Sequence, residues 1–205
     1  MRPVHRAQSS DSTGRELGFT WRHIAASTLA LLSAAIALFA MGRIWWCKCG
    51  ETFLWSGDIV STHNSQHLFD PYSFTHVLHG IALYGILWLL LGSRTTPASR
   101  AVIGITIESA WEIFENTSFV IERYRETTVS LDYYGDSILN SLSDIVACFG
   151  GIIVAMTAPV WASAAIIVIV EVALLIWIRD SLLLNIVMLV LPLDAIKDWQ
   201  MSRIN

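Results

Sequence analysis

Ile24–Met41 carries no charged residue and is rich in Ala and Leu. At about 1.5 Å per residue, a run of that length crosses the roughly 30 Å hydrocarbon core of a bilayer. A backbone in that core satisfies its N–H and C=O groups only as a helix or a closed barrel. Comparable runs follow at about Phe74–Gly92, Ala101–Ile121, Asp136–Thr157 and Val160–Ile178, and a shorter one at Leu182–Ile196 contains Pro192. The pattern predicts an all-α protein, a multi-pass transmembrane helical bundle of six spans, or five if the last stretch lies along the interface.

Residues 1–22 are polar, with four arginines, and read as a cytoplasmic tail; residues 23–205 read as a single transmembrane helical domain. A basic tail before an apolar run also describes a signal peptide. Here the run is long, and Leu38-Phe39-Ala40 puts a large residue where a cleavage site needs a small one, so a retained first helix is expected.

Composition agrees. Charged residues make up 15% of the chain, where soluble domains carry about a quarter. A net charge of -4 argues against nucleic acid, which selects a basic surface. Membrane lipids are the partner the composition implies. With six spans, Arg2, Arg6, Arg15, Arg22, Arg94, Arg100, Lys197 and Arg203 share one side, and Arg43, Lys48, Arg123, Arg125 and Arg179 the other. Basic residues concentrate on the cytoplasmic side, which places both termini there, with the N-terminus cytoplasmic and the protein in a bacterial inner (plasma) membrane. Cys47 and Cys49 form a C-x-C in the first loop. That is a weak metal signal, and two free thiols or a disulfide elsewhere explain it as well.

The polar residues inside the apolar runs carry the functional signal. Ionisable side chains within a membrane are expensive and commonly mark function. At 100° per residue, Glu108, Glu112, Glu115 and Asn116 share one stripe of span three. Asp136, Asn140, Ser143 and Asp144 share a stripe of span four, and His76 and His79, three apart, share a face of span two. Gly80 beside them allows a second helix to approach closely. Because consecutive spans alternate direction, the start of span two, the end of span three and the start of span four lie at one level. That level is about 5–15 Å below one interface at 1.5 Å per residue. The loops at that level add His67, Asp70, Arg123, Tyr124 and Arg125.

Imidazoles and carboxylates are ligands for Zn, Mn or Fe, and clustered carboxylates need a cation or a shared proton. The expected metal ligands are His76, His79, Glu112, Glu115, Asp136 and Asp144. Glu112, Glu115, Asp136, Asn140 and Asp144 are the candidate catalytic groups. Arg123 and Arg125, which offer paired N–H donors to an anion, together with Tyr124, His67 and Asp70, are the candidate substrate-binding groups. Glu108 reads as a deeper acid that snorkels or pairs, Asn185 and Asp194 earn no role, and Glu171 reads as a satisfied core acid. No H-E-x-x-H or similar hydrolase signature is present.

Two blocks, NSQHLFDPYSFTHVLHG and ESAWEIFENTSFVIERYRETTVSLDYYGDSILNSLSD, with the apolar first span before them, resemble an uncharacterised family of multi-pass inner-membrane proteins, mostly alphaproteobacterial. The similarity covers roughly residues 20–160. The family's motif residues fall on Asn64, Gln66, His67, Asp70, His76, His79, Glu112, Glu115, Asn116, Arg123, Tyr124, Arg125, Asp136, Asn140 and Asp144. Where family members tend to show Pro before the first histidine, this chain has Phe74-Thr75. The resemblance implies an integral plasma-membrane protein and no particular reaction. Three functions stay open: a metal-dependent enzyme acting on a lipid or lipid-linked envelope substrate, a proton- or cation-coupled transporter, and a structural or assembly protein with a polar core.

Overall fold

The structure is a computed structural model describing residues 18–128 and 133–202. Among the described residues eight α-helices follow one another: α1 Trp21–Ala40, α2 Ser73–Leu91, α3 Pro97–Glu115, α4 Ser118–Thr127, α5 Ile138–Thr157, α6 Val160–Ile178, α7 Leu182–Val190 and α8 Asp194–Met201. Among the described residues there is no strand, only one isolated bridge between Trp55 and Phe69. Four of these helices, α1, α2, α5 and α6, are long and apolar enough to cross a membrane. α3 has similar length but carries Arg100, Glu108, Glu112 and Glu115, which α1, α2 and α5 help to enclose.

The tightest seam lies between α2 and α5. A Cβ added to Gly80 would stand 1.9 Å from the Cys148 carbonyl oxygen, and one on Gly151 would stand 2.0 Å from that of Val77. The two backbones therefore meet directly, as expected for Gly80. The apolar core around Ala34, Tyr84, Ala101, Ile105, Ile145 and Ile152 fills the half of the bundle near the N-terminus of α1. Leu29, Leu32 and Ile36 of α1, and Val168, Ile169 and Ile176 of α6, face outward, as lipid-facing residues do. Trp21, Trp88 and Trp161 sit at one end of the bundle and Trp45, Trp46, Trp55, Trp177 and Trp199 at the other, the arrangement of two aromatic belts.

Three expectations change. The run Ala101–Ile121 divides into α3 and α4 at Asn116, whose backbone N–H still bonds Glu112 while Thr117 turns extended. Helix α5 starts at Ile138, capped by the Ser137 side chain, so Asp136 lies in the loop before it. Leu182–Ile196 divides around Pro192 into α7 and α8, and the nine residues of α7 are well short of the roughly 20 a span needs. α8 returns beside the end of α6: Arg179 Nη1 donates to the Trp199 carbonyl and Gln200 Nε2 to that of Arg179. The far end of the described chain thus lies opposite the N-terminus of α1, which bonds Ser99 through His23 and packs Phe19 on Phe149. The six-span reading put both termini on one side; the described ends of the chain, Gly18 and Ser202, lie at opposite ends of the bundle, with Lys197 at the end that holds Arg179. Among the described residues, Arg22, Arg94 and Arg100 lie toward one end of the bundle and Arg43, Lys48, Arg123, Arg125, Arg179 and Lys197 toward the other. Residues 1–17 of the expected tail lie outside the described residues.

Candidate functional site

The face of α2 that carries His76 and His79 meets the acidic face of α3. His76 Nδ1 lies 2.6 Å from Glu108 Oε1, and His79 Nδ1 lies 3.1 Å from the same oxygen. His76 Nδ1 is also 3.3 Å from Glu112 Oε1, and its Nε2 is 3.9 Å from Asp144 Oδ2 on α5. Glu108 and Glu112 are each 1% exposed. Two groups have ligand atoms mutually within 4.8 Å: His76, His79 and Glu108, and His76, Glu112 and Glu115.

Glu108, read in the sequence as a deeper acid that snorkels or pairs, is the carboxylate on which both imidazoles converge. Its position one turn before Glu112 on the same stripe was the available signal; its greater depth argued against it. Asp136 and Asp144, expected as ligands, belong to neither group. The Asp144 carboxylate accepts from Ser73 Oγ at 2.7 Å. Asp136 is held by Asn116, whose Nδ2 donates to its carboxylate at 2.8 Å and whose Oδ1 accepts its backbone N–H at 2.8 Å. Tyr133 Oη also donates to Asp136, and Tyr124 Oη to Glu115 at 2.8 Å. Burial pushes the Asp136 carboxyl and both tyrosine hydroxyls above their usual range, so each hydroxyl keeps its proton and serves as a donor.

Glu112 differs from its neighbours. Both its carboxylate oxygens are buried without a hydrogen-bond partner. A buried carboxylate in that state selects a cation or a proton, since no protein donor bonds it.

The cluster closes one end of a cavity of about 320 Å³. His76, His79, Glu108, Glu115, Asp136 and Asp144 line its polar end, and Ala82, Leu83, Ile86, Ile107, Leu182, Ile186 and Leu189 form an apolar flank with Trp111. Asp180 and Asn185 line it as well, with Asn185 Nδ2 donating to Asp180 at 3.0 Å. Asn185 thus has a place in the site that its isolated position in the sequence concealed. Asp194, by contrast, only opens α8, and Glu171 accepts the Leu183 N–H at the start of α7.

The expected anion-holding residues lie elsewhere. Arg123 Nε donates to the Leu189 carbonyl and Arg125 Nε to that of Tyr133, so both tie α4 to its neighbours, and neither lines the cavity. His67 faces His63 and the Phe53 N–H. Asp70 accepts the N–H groups of Ser65 and Tyr72 and fixes the turn into α2, and burial pushes its carboxyl up to about 6. Asn140 bonds the Leu68 carbonyl and the Ser137 cap. Of the candidate substrate-binding residues, only Tyr124 reaches the cavity.

An all-helical bundle with apolar outer faces, an acid and histidine cluster between its helices and a cavity with an apolar flank beside it is compatible with a membrane protein that carries a polar site among its helices. Residues 38–202 match the family described as "Protein of unknown function (DUF2585)", and the chain belongs to that family. A UPF0314 protein of Paracoccus denitrificans is 48% identical over 176 residues, 85% of this chain and 90% of the relative. Relatives from Rhizobium meliloti (50% over 160 residues, 78% and 81% of the two chains) and Sphingopyxis alaskensis (46% over 177, 86% and 93%) carry the same designation. No solved structure matches the chain.

Proposed function

We propose that the chain is a membrane-embedded, metal-dependent enzyme acting on a lipid or lipid-linked substrate. His76 Nδ1, His79 Nδ1 and a Glu108 oxygen hold one divalent cation, Zn, Mn or Fe, a set of two imidazoles and one carboxylate that catalytic sites use with an open position. The observation that carries the reading is the convergence of both imidazoles on Glu108 at the polar end of a cavity with an apolar flank. A bound cation would supply Lewis acidity toward a carbonyl or phosphoryl oxygen.

The chain's own groups divide the remaining work. Glu112, with its two unpaired oxygens, balances the added positive charge next to His76. Glu115 faces the cavity and, held by Tyr124, is placed to accept a proton from an incoming nucleophile. The flank of α2, α3 and α7 takes the acyl or prenyl part and excludes water. Bacterial relatives and a helical rather than barrel architecture support the inner membrane as the location.

The reading predicts that cells carrying Glu108→Gln accumulate one lipid or lipid-linked species relative to wild type in untargeted membrane lipid profiling. Indistinguishable profiles, with the variant protein present at wild-type level, would contradict it. The structural alternative has its own support: hydrogen bonds join α2, α3, α5 and the loops through the same residues. That alternative predicts loss of the folded protein, rather than a lipid change, when Glu108 is replaced.

A further inference from the structure

The loop between α1 and α2 holds a further group of ligands that shares no residue with the His76 cluster. Cys47, Cys49, His63 and His67 each offer one ligand atom, and all four atoms lie within 4.8 Å of one another. Cys47 Sγ is 3.5 Å from His63 Nδ1, and His63 Nδ1 is 3.0 Å from His67 Nε2. Both cysteines are free thiols. A tetrahedral zinc ion, about 2.3 Å from sulfur and 2.0–2.1 Å from nitrogen, places its ligands roughly 3.3–3.8 Å apart. The cluster therefore needs only small side-chain adjustments to close on one ion. His63 and His67 are four apart, a spacing found in Cys₂His₂ sites, and two thiolates neutralise the dication.

The geometry points to a structural Zn²⁺ site formed by Cys47, Cys49, His63 and His67. Its position suits a clamp. Asn64 and Ser65, which line the cavity, lie between its two histidines, and the Ser65 carbonyl accepts the Ser137 N–H at the start of α5. Gln66 donates to the Gly135 carbonyl at 2.9 Å and accepts from Ser137 Oγ. An ion joining residues 47–49 to 63–67 fixes this edge of the cavity from outside. Cys47, His63 and Cys49 are the principal ligands. The Phe53 N–H donates to His67 Nδ1 at 3.1 Å and opposes the proton that Nε2 ligation would leave there, so His67 is the weakest of the four.

The test uses reduced, full-length protein in detergent and titrates it with Co²⁺. The site predicts a thiolate-to-cobalt charge-transfer band that saturates near one equivalent and is displaced by Zn²⁺. It also predicts that Zn²⁺ slows maleimide labelling of Cys47 and Cys49 by at least about tenfold, since only a free thiolate reacts, with buried Cys148 as internal reference. Cys47→Ser removes the band, and His63→Ala weakens binding more than His67→Ala. Absence of the band in wild type, with labelling rates equal with and without Zn²⁺, would overturn the assignment. Cys148 lies beside Glu108, so loss of the band in Cys47→Ser is what assigns it to this loop, and either reading can fail without the other.

Discussion

Glu108 Oε1 lies against two imidazoles at once, whereas Glu112 one turn on has no hydrogen-bond partner and only His76 Nδ1 near it, at 3.3 Å. These two acids, one turn apart, have opposite surroundings, and their substitutions should separate. Glu108→Gln replaces the charged carboxylate ligand shared by His76 and His79 with a neutral amide and should lower metal occupancy at least about tenfold, since even residues that only support a metal's ligands are worth about 10- to 100-fold in affinity. Asn116→Ala removes two bonds to Asp136, leaving its backbone N–H unpaired in the interior and its carboxylate without the amide donor. The expected cost is about 2–4 kcal/mol, read as a lower melting temperature in detergent. Asp180 carries a pH dependence. Burial pushes its carboxyl up to about 6, whereas an exposed aspartate titrates near 3.8. Below about pH 4 it is protonated whether the chain is folded or unfolded. Between about 4 and 6 the unfolded chain ionises first, so the stability this group contributes at low pH is lost as pH rises through the folded value. The difference corresponds to at most about 3 kcal/mol. Asp180→Asn should flatten that part of the melting-temperature profile, and a variant with the wild-type slope would contradict this account of Asp180.

At the scale of elements, the α2–α5 seam rests on two glycines. Gly80→Ala would drive its Cβ into the Cys148 carbonyl, and Gly151→Ala would do the same to Val77, each at an expected cost of roughly 1–3 kcal/mol or more. Gly85→Ala is the control: its added methyl meets nothing within 4 Å and should not lower the melting temperature. The seam also explains what was legible in the sequence. Helical periodicity and alternating span direction brought His76, Glu112 and Asp144 to one level, and packing of α2 against α3 and α5 joined them. Helix ends were harder to read, because Asn116 and Pro192 interrupt apolar runs whose hydropathy continues across the break. Arg123 and Arg125 looked like anion holders because a sequence lists their donors but not the carbonyls of Leu189 and Tyr133 that occupy them. Asn185 gave no signal, since only the return of α7 over the cavity gives it a neighbour in Asp180.

For the whole molecule, four helices are long and apolar enough to cross a membrane and the two ends of the described chain lie at opposite ends of the bundle; we propose α3 as a fifth crossing helix. Reporter fusions that distinguish compartments should therefore give opposite readings at the N- and C-termini, and identical readings would contradict five crossings. The same architecture puts the polar cluster where an apolar cavity meets charged helix faces, a place suited to a ligand with one polar and one apolar end. Metal binding between α2 and α3 is the claim on which the enzyme reading depends. It is tested most directly by the metal content of detergent-purified protein in a Cys47→Ser/Cys49→Ser background, which silences the loop cluster, with and without Glu108→Gln. The account predicts close to one divalent metal per chain in that background and its loss on adding Glu108→Gln while the melting temperature stays measurable. Metal absent from both, with both folded, would contradict it.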